Sequence, residues 1–202
     1  LREELTWTPA GPGRTRVEGR VTLTGELALA FRVPGEGPAL PEARALELAE
    51  RLYPLWDMEQ AAAEAFEQGP LPAVTMTLSG WDNAACGPRD EPPGRACVGF
   101  ARAPWRIKKI VPAWEHAFVY AFQGRYRLET RGREQVHDLP RYRRVAEGPV
   151  RLKVETALEA GAIEVRVTYE QQAPRLDKLD EAALERGWDD HALDVRWTTG
   201  AP

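Results

Sequence analysis

Apolar and polar positions alternate along much of this chain, and where they do the spacing predicts strands. Between Arg14 and Thr24, Val17, Val21 and Leu23 are set against Arg16, Glu18, Arg20 and Thr22. After Gly25-Glu26 an apolar run, Leu27–Val33, completes a predicted hairpin, and Pro34–Pro38 breaks it. The period then lengthens. Ala45, Leu48, Ala49, Leu52 and Tyr53 recur at the i, i+3, i+4, i+7, i+8 spacing of an amphipathic helix that Pro41 opens and Pro54 stops. Asp57, with Gln60 three residues on, reads as the cap of a second helix, whose apolar face is Met58, Ala61, Ala62, Ala65 and Phe66 and whose end is Gly69-Pro70.

Strand patterns return after that. Leu71–Leu78, Ala96–Ala103 and His116–Thr130 read as strands, the last with Gln123-Gly124 as a turn or bulge and Arg133–Leu139 pairing back on it. Val150–Thr156 and Ile163–Tyr169 alternate cleanly around Ala160-Gly161, and Leu193–Thr198 is a final strand. Leu176–Arg186, followed by Gly187, is a short helix. The expected fold is a single α+β domain over residues 1–202. Its antiparallel, meander-like sheet lies mostly in residues 71–171, with a helix pair from the first half and one short helix near the C-terminus. This order is similar to a helix-grip arrangement, although two strands rather than one precede the helix pair.

Composition sharpens this picture in two respects. No stretch approaches the ~20 apolar residues that a spanning helix needs. With 23 Arg but four Lys, one Ser (Ser79) and one Asn (Asn83), the chain has few thermolabile amides, and its 17 prolines suit stiff loops. Both features fit a thermophilic or GC-rich bacterial source.

Charge is unevenly spread. The whole chain carries −4, yet Arg102–Lys153 holds thirteen of the 27 basic residues against five acidic ones, so this segment is +8 and the rest −12. Trp105, Trp114, Phe118, Tyr120, Phe122, Tyr126 and Tyr142 are interleaved with it. A basic, aromatic-rich segment points to a polyanion, nucleic acid or an acidic envelope polymer. The candidate contacts are Arg102, Trp105, Arg106, Lys108 and Lys109, in a loop bounded by Pro104 and Pro112, and Arg141, Arg143 and Arg144 after Pro140. The competing expectation is that these cations only solvate a sheet or guard its edge. If Arg125, Arg127, Arg131 and Arg133 share one sheet face with Tyr126 and Leu128 opposite, the basic face is real but flat.

Catalytic chemistry has little to work with. Ser79 sits in Leu-Ser-Gly-Trp, outside any G-x-S-x-G elbow, and reads as a strand-end turn residue. His116, His137 and His191 form no short-spaced ligand pair, and one His among Asp189, Asp190 and Asp194 rarely completes a metal shell. No glycine-rich phosphate loop is present. No cofactor, metal or catalytic residue is therefore expected. The only cysteines, Cys86 and Cys97, bracket one Pro/Gly-rich loop, which predicts a disulfide and tilts the location away from the cytoplasm. The reading is a non-enzymatic binding or interaction domain whose partner is an anionic polymer or another protein. The alternatives are a carrier of an apolar ligand, held between sheet and helices, and a structural protein of the cell envelope.

Overall fold

The computed structural model describes residues 1–11, 14–29, 38–68, 71–82, 95–99, 120–130, 134–138, 143–147, 149–173, 182 and 194–199. Eleven strands and two helices lie among them: β1 Arg2–Gly11, β2 Arg14–Thr24, α1 Glu26–Leu29, α2 Glu42–Leu52, β3 Trp56–Gln68, β4 Leu71–Asp82, β5 Arg95–Gly99, β6 Tyr120–Glu129, β7 Glu134–Asp138, β8 Arg143–Glu147, β9 Val150–Glu159, β10 Ala162–Gln171 and β11 Asp194–Thr199. Eight strands form one sheet in the order β3-β4-β2-β1-β6-β10-β9-β8, and β5-β11-β7 form a second. The architecture is α+β. The large sheet is mixed, because β1 runs parallel to β6 while its other neighbours pair antiparallel.

Period-two alternation makes this sheet two-faced. In β9, Val150, Leu152 and Val154 are buried and Arg151, Lys153 and Glu155 are exposed. In β10, Ile163, Val165, Val167 and Tyr169 point the same way as the β9 apolar set. Side chains from both halves of the sheet join one continuous apolar cluster on this inner face. A two-residue turn, Ala160-Gly161, joins β9 to β10, and Gly161 takes φ +79°, a conformation that costs a residue with a Cβ about 1 kcal/mol or more. Helix α2 buries Ala45, Leu48, Ala49 and Leu52, the face its spacing predicts, against β3. Among the described residues no helix is long and apolar enough to cross a membrane.

The predicted helix pair is the main error. Residues 57–66 are not helical but belong to β3, an edge strand of the large sheet. A register shift between Met58 and Gln60 explains the misreading: Met58 faces Gly80, Gln60 faces Ser79, and Glu59 is the extra residue of a bulge. Trp56 and Met58 pack into the core before the bulge, and Ala61, Ala63 and Ala65 do so after it. The extra residue turns a spacing of two into one of three, so an interrupted strand mimics the i, i+3 spacing of a helix.

Other differences are local. Leu27 and Ala28 are both buried in the helical turn α1, so the predicted strand Leu27–Val33 does not start there; consecutive buried residues suit a helix rather than a half-buried strand. Sequence alternation missed β1, whose inward positions include Glu3 and Pro9 as well as Leu5 and Trp7. Gly124 lies within β6 in unbroken register with β10, neither turn nor bulge. Strand β7 pairs with β11, not β6. The large sheet draws on residues 2–24 and 56–68 as well as the 71–171 region. The predicted helix Leu176–Arg186 lies outside the described residues, except for Ala182, which is helical.

Candidate functional site

Six of the eight predicted polyanion contacts, Arg102, Trp105, Arg106, Lys108, Lys109 and Arg141, lie outside the described residues, as do Cys86, His116 and His191. Cys97 sits in β5, opposite Arg196, and His137 in β7. Arg143 and Arg144 open β8, the edge strand, with Arg143 across from Val154 and Arg144 across from Lys153.

Of the four arginines expected on one face, Arg125 and Arg127 point outward from β6 with Tyr126 and Leu128 in the core, and Arg131 and Arg133 lie outside the described residues. That face is not basic in effect. Glu164 of β10 is 0% exposed beneath two guanidiniums: Arg125 Nε and Nη2 donate to its Oε2 at 3.1 and 2.8 Å, and Arg166 Nε donates to its Oε1 at 2.5 Å. Burial alone raises the pKa of the Glu164 carboxyl, but the hydrogen bonds and charges of Arg125 and Arg166 outweigh it and hold the group below its ordinary value. The Arg125 guanidinium is raised in return, first by its hydrogen bond to Glu164 and then by that carboxylate's charge. Arg127 donates to Glu129 at 2.5 Å and to Glu159 at 2.8 Å, which raise it likewise. Carboxylates from β6 itself, β9 and β10 thus offset the local excess of arginine in β6.

The inner face carries a buried polar cluster that sequence reasoning missed. Glu3 of β1, 7% exposed, accepts from Tyr53 Oη at 2.8 Å and from Tyr126 Oη at 2.7 Å. Tyr126 folds back along its own strand over Gly124, where a Cβ would lie 2.4 Å from the phenol oxygen. Tyr53 ends α2 and stacks on Trp56 at 4.1 Å; Trp56 meets Trp7 edge-on at 5.8 Å. The Trp7 indole donates to buried Asp82 at 2.9 Å. The phenols hold both carboxylate oxygens of Glu3, so the cluster ties α2, β1 and β6 together. In the fold it acts as a structural clamp. A buried Glu flanked by polar neighbours leaves no periodic signal, which is why the sequence hid it.

On the outer face, β2, β3 and β4 frame an open depression of about 550 Å³. The β3 bulge shapes it. Gly80 faces the bulge so closely that a Cβ there would lie 2.4 Å from the Asp57 carbonyl oxygen. Glu59, the extra residue, accepts from the Trp81 indole at 2.7 Å and lies 3.7 Å from Arg16. Arg14 and Arg16 stand 4.4 and 5.9 Å from the Trp81 ring centroid, within cation–π range. Ser79 is not a turn residue. It lies inside β4 opposite Glu18 and lines the depression with Arg16, Gln60 and Thr77. Alternation in Leu71–Leu78, continued four residues to Trp81 and Asp82, was the available signal.

Among the described residues no three His, Cys, Asp or Glu side chains gather closely enough to hold a metal ion. No protein-family model, curated protein or solved structure matches the chain.

Proposed function

We propose that the protein is a non-catalytic binding domain that recognises an anionic polymer along the β8–β9 edge of its large sheet. One contrast carries this reading. In β6 and β10 the outward arginines Arg125, Arg127 and Arg166 are matched by glutamates. At the β8–β9 edge the register sets Arg144 across from Lys153. Arg151, also on β9, makes no ion pair with the described residues, although Glu170 is its cross-strand neighbour. Lys153 pairs with Glu155, two residues along its own strand, at 2.7 Å. An anion laid along this edge would meet the exposed Arg151 and Lys153 of β9. Arg102, Arg106, Lys108, Lys109, Arg141 and Arg143 add positive charge from the same stretch of sequence, and Trp105 is the residue suited to stack on a base.

Anisotropy titration of labelled single-stranded DNA, single-stranded RNA and an acidic polysaccharide, at low and moderate salt, tests the proposal. Binding should weaken as salt rises, because each neutralised phosphate releases counterions. Arg144→Ala and Arg151→Ala should each lower the salt slope, by about one unit per lost contact. Trp105→Ala should weaken nucleic-acid binding by about 1–3 kcal/mol at every salt concentration. If the folded protein binds none of the three polymers, the edge cations serve only to prevent edge-to-edge aggregation.

A further inference from the structure

We infer that the outer-face depression over β2, β3 and β4 is a binding site for a neutral, polyhydroxylated ligand such as a saccharide. In strand order this is the end of the sheet opposite β8, so the site is separate from the edge proposed for polyanions. Its volume, about 550 Å³, lies within the range of small-molecule sites. Arg16, Glu18, Glu42, Gln60, Thr77 and Ser79 line it, and Ala62 leaves its floor low. The guanidinium only donates, the two carboxylates only accept, and the amide and hydroxyls do both. Glu18 and Glu42 repel an anionic ligand, and Arg16 repels an ammonium. A hydroxyl donates and accepts at once and carries no charge, so it suits all six groups. Three of them await a partner: Glu18, Gln60 and Ser79 make no side-chain hydrogen bond or ion pair with the described residues. The bulge fixes the rim. It anchors Glu59 on Trp81 and beside Arg16, and bulges commonly re-aim side chains at such sites.

The experiment is an amide-detected NMR titration of the ¹⁵N-labelled protein with cellobiose as neutral probe and glucose 6-phosphate as anionic comparison. Cellobiose should shift the backbone amides of Gln60, Thr77 and Ser79 and the Trp81 indole N–H, saturating with one constant. Ala62→Phe, which fills the depression and removes no polar group, should weaken binding by about tenfold or more. Gln60→Ala, at an exposed side chain without a partner, should also weaken it and serves if Ala62→Phe does not fold. Glucose 6-phosphate should bind more weakly than cellobiose. The inference is overturned if no saturable shift occurs up to about 50 mM, enough to detect a Kd weaker than roughly 1 mM. It is equally overturned if neither variant weakens binding, or if the phosphate ester binds more tightly.

Discussion

Deleting Glu59 should cost little more stability than mutating it. The bulge adds one residue to β3: Met58 faces Gly80, Gln60 faces Ser79, and Glu59 has no register partner on β4. Removing the extra residue restores a spacing of two, with Met58 inward before the gap and Gln60 outward and Ala61 inward after it, so no side chain changes face. The deletion and Glu59→Ala both lose one exposed hydrogen bond to Trp81 and a 3.7 Å approach to Arg16, together worth about 1 kcal/mol or less. Met58→Ala keeps the residue count but empties a core position that is 9% exposed, and should cost about 2–5 kcal/mol. Equilibrium urea unfolding, followed by far-UV circular dichroism, measures all three. A Glu59 deletion as costly as Met58→Ala would refute the claim that Glu59 is the extra residue of the bulge.

Glu164→Gln should be destabilised by about 1–2 kcal/mol at neutral pH, a figure held down because Arg125 and Arg166 are 57% and 60% exposed and therefore screened. The folded-state pKa of Glu164 is depressed below its ordinary 4.5, so its contribution is full above that pH and is lost as pH falls through the folded value. The gap between wild type and Glu164→Gln should thus close in acid below pH 4.5; a gap constant across that window in urea unfolding would contradict the ion-pair account. For Cys86 and Cys97, thiol counting on the denatured, unreduced protein should find none reactive, and two reactive thiols would exclude the disulfide.

Where burial was decided by neighbours along the chain, the sequence was sufficient by itself. The alternation of Val150–Thr156 and Ile163–Tyr169, the glycine turn between them, and the Ala45–Leu52 stripe of α2 were all legible, because period and turn chemistry are local properties. So was the outward setting of Arg125 and Arg127 against Tyr126 and Leu128. Only the tertiary structure could decide what is settled across strands. A bulge is a mismatch between two strands, so the Glu59 insertion reads in one dimension as helical spacing. The parallel pairing of β1 with β6 joins residues more than a hundred positions apart, and no local pattern encodes it. Charge count marked β6 as basic, but its effect depends on which carboxylates stand opposite, and Glu164 and Glu159 come from other strands. The depression beside Trp81 and the Glu3–Tyr53–Tyr126 clamp arise for the same reason: each brings together side chains from three or more separate elements, and only folding sets their distance.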